Sequence, residues 1–425
     1  MRSEPVTADD RAAVDEWIPV RMDKYLQHIK RQISPEMLAD RDVMHYSIPA
    51  VQEVGTGIVE DGSTIDSSKL IVDRDLLLVS RLNPRKSTIC LAEPASKLTV
   101  CSTEFVPIAA RGIDQRFLFY ITLSDYYRQR LESLTESATR SHQRVSPSDI
   151  LKFWWEVPSL QTQEAVVRHL DRETAKIDAL IGKQEQLIAT LREDRAATIT
   201  HTVTRGTSPG THLEETGTRW VDAIPAHWTL SRLSRHISIN SGQVDPRVEP
   251  YSGMILIAPN HIESGTGRLL VTETAEEQGA DSGKYRVSAG QVIYSKIRPN
   301  LAKVTLAPVD CLCSADMYGL STNPNEMLPE FLLYKLLSQP FTDYVIDSSM
   351  RVAMPKVNHE SLGAAPLWIP PLEEQRAIVD YLSARCASID ELIKQSTEMI
   401  ETLREYRSAL ITNAVTGKID VREAV

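Results

Sequence analysis

The sequence predicts a mixed α/β (α+β) fold: two similar globular domains separated by two long helices, packed as an antiparallel coiled-coil-like pair with a pseudo-twofold internal repeat. Three observations carry this. The 425 residues are close to twice 212, and a segment of 47 residues recurs without a gap at that offset. Each copy has the apolar spacing of one long helix. Each also follows a more diverged region that reads as strands and loops.

The first domain spans residues 1–157. Its opening, Met1-Arg2-Ser3-Glu4-Pro5, has no apolar stretch behind it, so no signal peptide is expected. The best apolar run, Leu76-Leu77-Leu78-Val79, is only strand-sized, and no membrane span is expected. The second domain, 219–369, repeats its landmarks in order. Gly55-Thr56-Gly57 returns as Gly265-Thr266-Gly267, and Val79-Ser80-Arg81-Leu82-Asn83-Pro84 as Tyr294-Ser295-Lys296-Ile297-Arg298-Pro299. Cys101-Ser102-Thr103-Glu104-Phe105 returns as Cys313-Ser314-Ala315-Asp316-Met317. Offsets drifting between 210 and 215 indicate small insertions in loops.

The repeated segment follows each domain, at 158–204 and 370–425 with the tail. Between Pro158–Thr204 and Pro370–Thr416, 22 of 47 positions are identical. Apolar residues recur at Ile177, Leu180, Ile181, Leu187 and Leu191, and again at Ile389, Leu392, Ile393, Met399 and Leu403. No proline interrupts either run. About 40 residues rise roughly 60 Å as helix, too far for one apolar stripe to be buried alone. Packing of the two copies on each other is the economical solution, with polar Gln184 and Ser396 at equivalent seam positions fixing register. Packing of each helix on its own upstream domain is the alternative. Arg205-Gly206-Thr207-Ser208-Pro209-Gly210 opens a linker at 205–218.

Composition narrows the class. With 42% hydrophobic and 24% charged residues, wholesale disorder and collagen-like structure are excluded. Five cysteines form an odd, sparse set that suits a reducing cytoplasm. A net charge of −10 argues against a protein that simply coats nucleic acid, but it does not exclude local basic faces. Residues 282–308 are such a face, with Lys284, Arg286, Lys296, Arg298, Asn300 and Lys303 and no acid. Arg81, Asn83, Arg85 and Lys86 stand at the matching place in the first domain. Arg140 and Arg144 match Arg351 and Lys356 in the second. Basic residues beside hydroxyls suit phosphate, while Arg and Asn can read base edges. Singly, each could merely solvate a surface; recurrence at matched positions favours a DNA-facing role.

Catalytic signatures are missing. There is no helical His-Glu-x-x-His and no Cys-x-x-Cys, and Gly279–Lys284 falls one residue short of phosphate-loop spacing. Cys311-x-Cys313 has no second ligand pair nearby. Cys313 aligns with Cys101, so a buried strand residue is expected and no metal site. His28 and His236 read as packing residues rather than bases.

The architecture resembles the specificity subunit of Type I restriction–modification systems. The residues that carry the resemblance are Pro370-Pro371-Leu372-Glu373-Glu374-Gln375 and its sister Pro158-Ser159-Leu160-Gln161-Thr162-Gln163. The Ile-Asp-x-Leu-Ile elements at 177–181 and 389–393 and the opening Ile224-Pro225-Ala226-His227-Trp228 add to it. The first half departs from that opening, with Trp17-Ile18-Pro19 in its place. The resemblance implies two target-recognition domains, each reading half of a bipartite asymmetric site in double-stranded DNA. The helices would set the spacing and dock two methyltransferase subunits. It implies no catalytic residue or cofactor in this chain. S-adenosylmethionine, ATP and Mg would belong to partner methyltransferase and restriction/translocase subunits. A helical scaffold whose two heads bind proteins is the alternative.

Overall fold

The computed structural model describes residues 17–135, 143–349 and 356–419. They divide into two compact units, Met1–Gln184 with Glu398–Val425, and Glu185–Thr397. Two long helices, Leu160–Arg205 and Leu372–Val415, therefore each contribute to both units. The helices run antiparallel, so within each unit the first turns of one lie with the last turns of the other.

In the first unit, a four-stranded antiparallel sheet has the order Leu26–His28, Phe105–Ala110, Leu76–Ser80, Ile89–Ala92. A second, five-stranded sheet contains one parallel pair, Asp42–Tyr46 beside Leu98–Ser102. The second unit repeats the plan. Ile237–Ile239, Met317–Thr322, Val292–Ser295 and Val304–Leu306 form its antiparallel sheet, and the parallel pair is Leu256–Ile257 beside Cys311–Cys313. Leu76–Ser80 is buried at all five positions, as a strand covered on both faces must be, which explains its unbroken apolar run.

Each unit closes its core on the ends of the long helices. In the first, Val166, Leu170 and Ile177 pack with Ile411, Ala414 and Val415 against Phe117, Leu118 and Trp155. In the second, Ile199 and Val203 pack with Ile378 and Leu382 against Phe331, Leu332 and Trp368. Both packing modes expected from sequence are thus used together: the helices pack on each other and on the domain. Two tryptophans lock the arrangement. Trp155 Nε1 donates to Val415 O, and Trp368 Nε1 donates to Val203 O.

The conspicuous glutamines of the repeat act the same way in both units. Gln163 is 1% exposed; its amide donates to Pro158 O and its Oε1 accepts from Asp114 N at 2.8 Å. Gln375, 0% exposed, donates to Pro370 O and accepts from Leu328 N at 2.9 Å. Each pins the start of the helix beside it, Gln115–Leu123 or Pro329–Leu337, whose first N–H groups have no intrahelical partner. In the second unit Glu374 also accepts from His227 Nε2 and Trp228 Nε1, which ties the Ile-Pro-Ala-His-Trp motif to the helix start.

The helix stripe requires a correction. Ile177 and Ile389 are buried, and Ile181, Leu191, Ile393 and Leu403 are half-buried, but Leu180, Leu187, Leu392 and Met399 are 44–49% exposed. The seam follows the 4,3 alternation of a coiled coil: 177, 181, 184, 188, 191, 195, and equally 389, 393, 396, 400, 403, 407. Leu180, Leu187, Leu392 and Met399 each precede a seam residue by one, on the flank that a two-helix pair leaves open. Gln184 is half-buried and Ser396 buried, at the equivalent seam positions expected of them. Among the described residues no helix is long and apolar enough to cross a membrane.

Candidate nucleic-acid interface

The basic positions gather at one turn in each unit, and the two turns are the same structure. After the strand Leu76–Ser80, Asn83 adopts a left-handed conformation (φ 49°), Pro84–Lys86 makes a 3-10 turn, and Ser87 returns to the left-handed region (φ 44°). After Val292–Ser295, Arg298 (φ 49°), Pro299–Leu301 and Ala302 (φ 42°) do the same. Neither left-handed position uses glycine. Sterics against Cβ cost about 1–2 kcal/mol per such residue, and a following proline pushes its predecessor toward extended conformations. The surrounding hydrogen bonds hold the turn in place. Ser80 Oγ donates to Leu82 O, and Ser295 Oγ donates to Ile297 O, both at 3.1 Å. Arg81 N donates to Glu104 O, and Lys296 N donates to Asp316 O, both at 2.8 Å. Leu82 bridges Arg144, and Ile297 bridges Lys356.

Electrostatics sort the nominated cations into two groups. The first group is engaged within the fold. Lys284 is only 7% exposed, and its Nζ donates to Ser282 O and Oγ, so it lies inside the fold rather than on its surface. Lys69 makes the same contacts with Ser67 in the first unit. Lys296 Nζ donates to Ala315 O and sits 4.2 Å from the Tyr318 ring centroid and 4.9 Å from that of Tyr285, a cation–π cage. Lys303 donates to Pro259 O. Arg144 pairs with Glu104 at 2.7 Å, Lys356 with Asp316 at 3.4 Å, and Arg286 with Asp310 at 3.4 Å.

The second group faces outward. Arg85, Lys86, Arg298 and Asn300 are exposed and make no side-chain ion pair or hydrogen bond among the described residues. Arg81 and Asn83 are half-buried. Arg81 Nε, Asn83 Oδ1 and Glu104 Oε2 are buried without a partner, so this turn keeps unused hydrogen-bonding capacity. Arg140 and Arg351 lie outside the described residues. His28 is held below the usual imidazole value by burial and by the charges of Lys30 and Arg81. Cys311 and Cys313 are fully buried strand residues whose thiols burial pushes up to about 12, the environment of packing residues rather than ligands.

Comparison with known proteins places these features. The family described as Type I restriction modification DNA specificity domain matches residues 248–402, which include the second turn and most of the second helix. The EcoDI specificity subunit of Escherichia coli is 28% identical over 323 residues, covering 72% of this chain and 70% of that one. The MjaVIII specificity subunit of Methanocaldococcus jannaschii is 21% identical over 96% of this chain and 94% of its own length. The chain is similar to the specificity subunits of Type I restriction enzymes. Solved structures agree on the fold. A chain from a study of complex assembly and conformational transition in a type I R-M system aligns with TM-score 0.68 at 19% identity, covering 95% of this chain and 98% of that one. The HsdS subunit of Thermoanaerobacter tengcongensis aligns with TM-score 0.50 at 17% identity, covering 95% and 97%. These relatives favour the specificity reading over the adaptor.

Sequence reasoning missed the acids that close each turn, Glu104 and Asp316. Both lay in the matched Cys-Ser-x-acid segments and could have been found there. It also missed Tyr285 and Tyr318, which had no signal because Tyr318 reaches Lys296 only through strand pairing.

Proposed function

We propose that this chain supplies DNA target recognition to a Type I restriction–modification complex and leaves the chemistry to partner subunits. Each unit reads one half of a bipartite, asymmetric site in double-stranded DNA. The observation that carries this reading is one backbone turn, built twice, with different side chains presented on it: Asn83, Arg85 and Lys86 in one unit, Arg298 and Asn300 in the other. A common scaffold with diverged contacts is what two different half-sites demand. Linking two modest readers in one chain raises affinity through effective concentration and makes their spacing part of the specificity. The exposed Leu180 and Met399 in one unit, and Leu187 and Leu392 in the other, support docking of methyltransferase subunits along the helices. Those subunits would bring S-adenosylmethionine and flip an adenine out for methylation, and restriction subunits would bring ATP and Mg.

The test lengthens the helices. Seven residues inserted between Gln186 and Leu187, with seven more between Glu398 and Met399, fall within two residues of the unit boundaries and keep the heptad phase of both helices. One heptad, about two helical turns, adds roughly 10 Å at 1.5 Å per residue, about three base-pair steps of 3.4 Å. Methylome sequencing of a host carrying the variant is expected to show the same half-sites with a gap widened by about three base pairs. An unchanged gap, or no split motif from the natural chain, overturns the reading.

A further inference from the structure

We propose that the proline turn is the base-reading element of each unit and that each half-site contains a guanine, read by Arg85 in the first and by Arg298 in the second. This rests on the DNA-recognition reading and deepens it by naming the residues and the base.

Elimination comes first. Of the fourteen positions named from sequence, Lys284, Lys296, Lys303, Arg144, Lys356 and Arg286 have their charged groups held by Ser282, by Ala315 and two tyrosine rings, by Pro259, by Glu104, by Asp316 and by Asp310. Within each turn, one arginine remains exposed and without an intramolecular partner among the described residues. A guanidinium presents a rigid donor fork that matches the O6 and N7 acceptors of guanine, whereas a phosphate is served as well by a lysine, such as exposed Lys86.

The second argument is the exchange of residue types on a fixed frame. The first turn reads Asn83-Pro84-Arg85 and the second Arg298-Pro299-Asn300, so amide and guanidinium have traded places across the proline. The backbone and its serine lock are unchanged, and an acid closes each turn, Glu104 in the first and Asp316 in the second. A surface selected only for positive charge has no reason to move one arginine by two residues and replace it with asparagine. A surface selected for base sequence does. The third argument is strain. Arg298 holds φ at 49°, where asparagine or glycine sits more easily, so the side chain at this position is retained against backbone preference.

The experiment uses the full chain assembled with its adenine-methyltransferase subunits and selects bound duplexes from a randomised pool. Arg298→Ala is expected to erase the preference at one guanine of one half-site, a loss of about 5- to 150-fold for that base pair, with the other half-site unchanged. Arg85→Ala is expected to do the same in the opposite half. Arg298→Asn, a side chain that Asn83 shows this turn accepts, is expected to shift that preference from guanine to adenine. It also guards against simple misfolding of the alanine variant. Equal weakening of all sequences by Arg298→Ala, with the salt dependence reduced by about one ion, identifies a phosphate contact and overturns the inference while leaving DNA recognition standing. Unchanged selection by both alanine variants overturns it as well. A natural complex that selects no sequence overturns the proposed function, and this inference with it.

Discussion

Arg195 Nη1 lies 2.5 Å from Asp390 Oδ1, joining the two long helices in the second unit, and Asp178 with Arg407 repeats the pair in the first. The repeat offset of 212 turns Asp178 into Asp390 and Arg195 into Arg407, so one contact is made twice with the helices exchanged. The copies differ in burial: Arg195 is 7% exposed and also donates to Thr266 O, whereas Arg407 is 31% exposed. Asp390→Ala leaves a buried guanidinium without its counter-charge. The expected cost is about 2–3 kcal/mol, less than for a fully buried pair because Asp390 itself is 41% exposed. Asp178→Ala is expected to cost within about 1 kcal/mol. Denaturant melts of the two variants measure the difference, and equal midpoints would count against it.

The turns store strain that can be released without touching the exposed contacts. Ala302 sits at φ 42° at the end of the second turn. Ala302→Gly removes the Cβ clash, worth about 1–2 kcal/mol, but adds roughly 0.5–1 kcal/mol of chain entropy to the unfolded state. A net gain of up to about 1 kcal/mol is expected, seen as a higher Tm with DNA selection unchanged. A lower Tm would mean that the turn is not strained at this residue.

A second stability prediction concerns Lys335, which is 1% exposed with Nζ 2.9 Å from the centroid of the Trp368 ring. Burial pushes its amine well below the ordinary lysine value of 10.5. Between the folded and unfolded values the unfolded chain binds more protons, so stability rises with pH across that window. The penalty is fully present below the folded value and gone above about 10.5. Lys335→Met keeps the length and removes the charge. It is expected to stabilise the chain by about 1–3 kcal/mol at pH 7, with an advantage that shrinks toward pH 10. Paired thermal melts at the two pH values decide it, and a pH-independent gap would show that the amine does not titrate differently on folding.

These cases mark what could be read from sequence. The duplication was legible because helix seams and glutamine pins constrain side chains: Gln163 satisfies two backbone groups and Gln375 three, and both tolerate little change. The strand cysteines Cys101 and Cys313 were legible for the same reason, being buried at matching places. Exposure along the helices was not. Leu180 and Ile181 are both apolar, and only the partner helix decides which of two adjacent residues lies in the seam. Nor was the fate of each cation, since the groups that hold Lys296 and Lys303 come from elsewhere in the chain, Tyr318 and Pro259 among them. Charge recurrence located the turn. Tertiary contacts selected the free residues within it.

The open flank of the helices yields the last prediction. In the first unit Leu180 and Met399 are 47% and 49% exposed, beside a seam already filled by Ile177 and by half-buried Ile181 and Leu403. In the second unit Leu392 and Leu187, both 44% exposed, occupy the same places of the repeat. Four large apolar residues kept at equivalent exposed positions cost solubility and add nothing to either core, so a partner surface is the economical reason for them. Leu180→Glu with Met399→Glu changes only exposed side chains and is expected to leave stability within about 0.5 kcal/mol. Because the flank is duplicated, removing it from one unit is expected to remove one of two equivalent docking sites. Sedimentation of the variant mixed with methyltransferase subunits is then expected to show one subunit bound, against the two proposed for the natural chain. Two subunits bound with unaltered affinity would mean that docking uses another surface, and a lowered Tm that Leu180 and Met399 belong to the core after all.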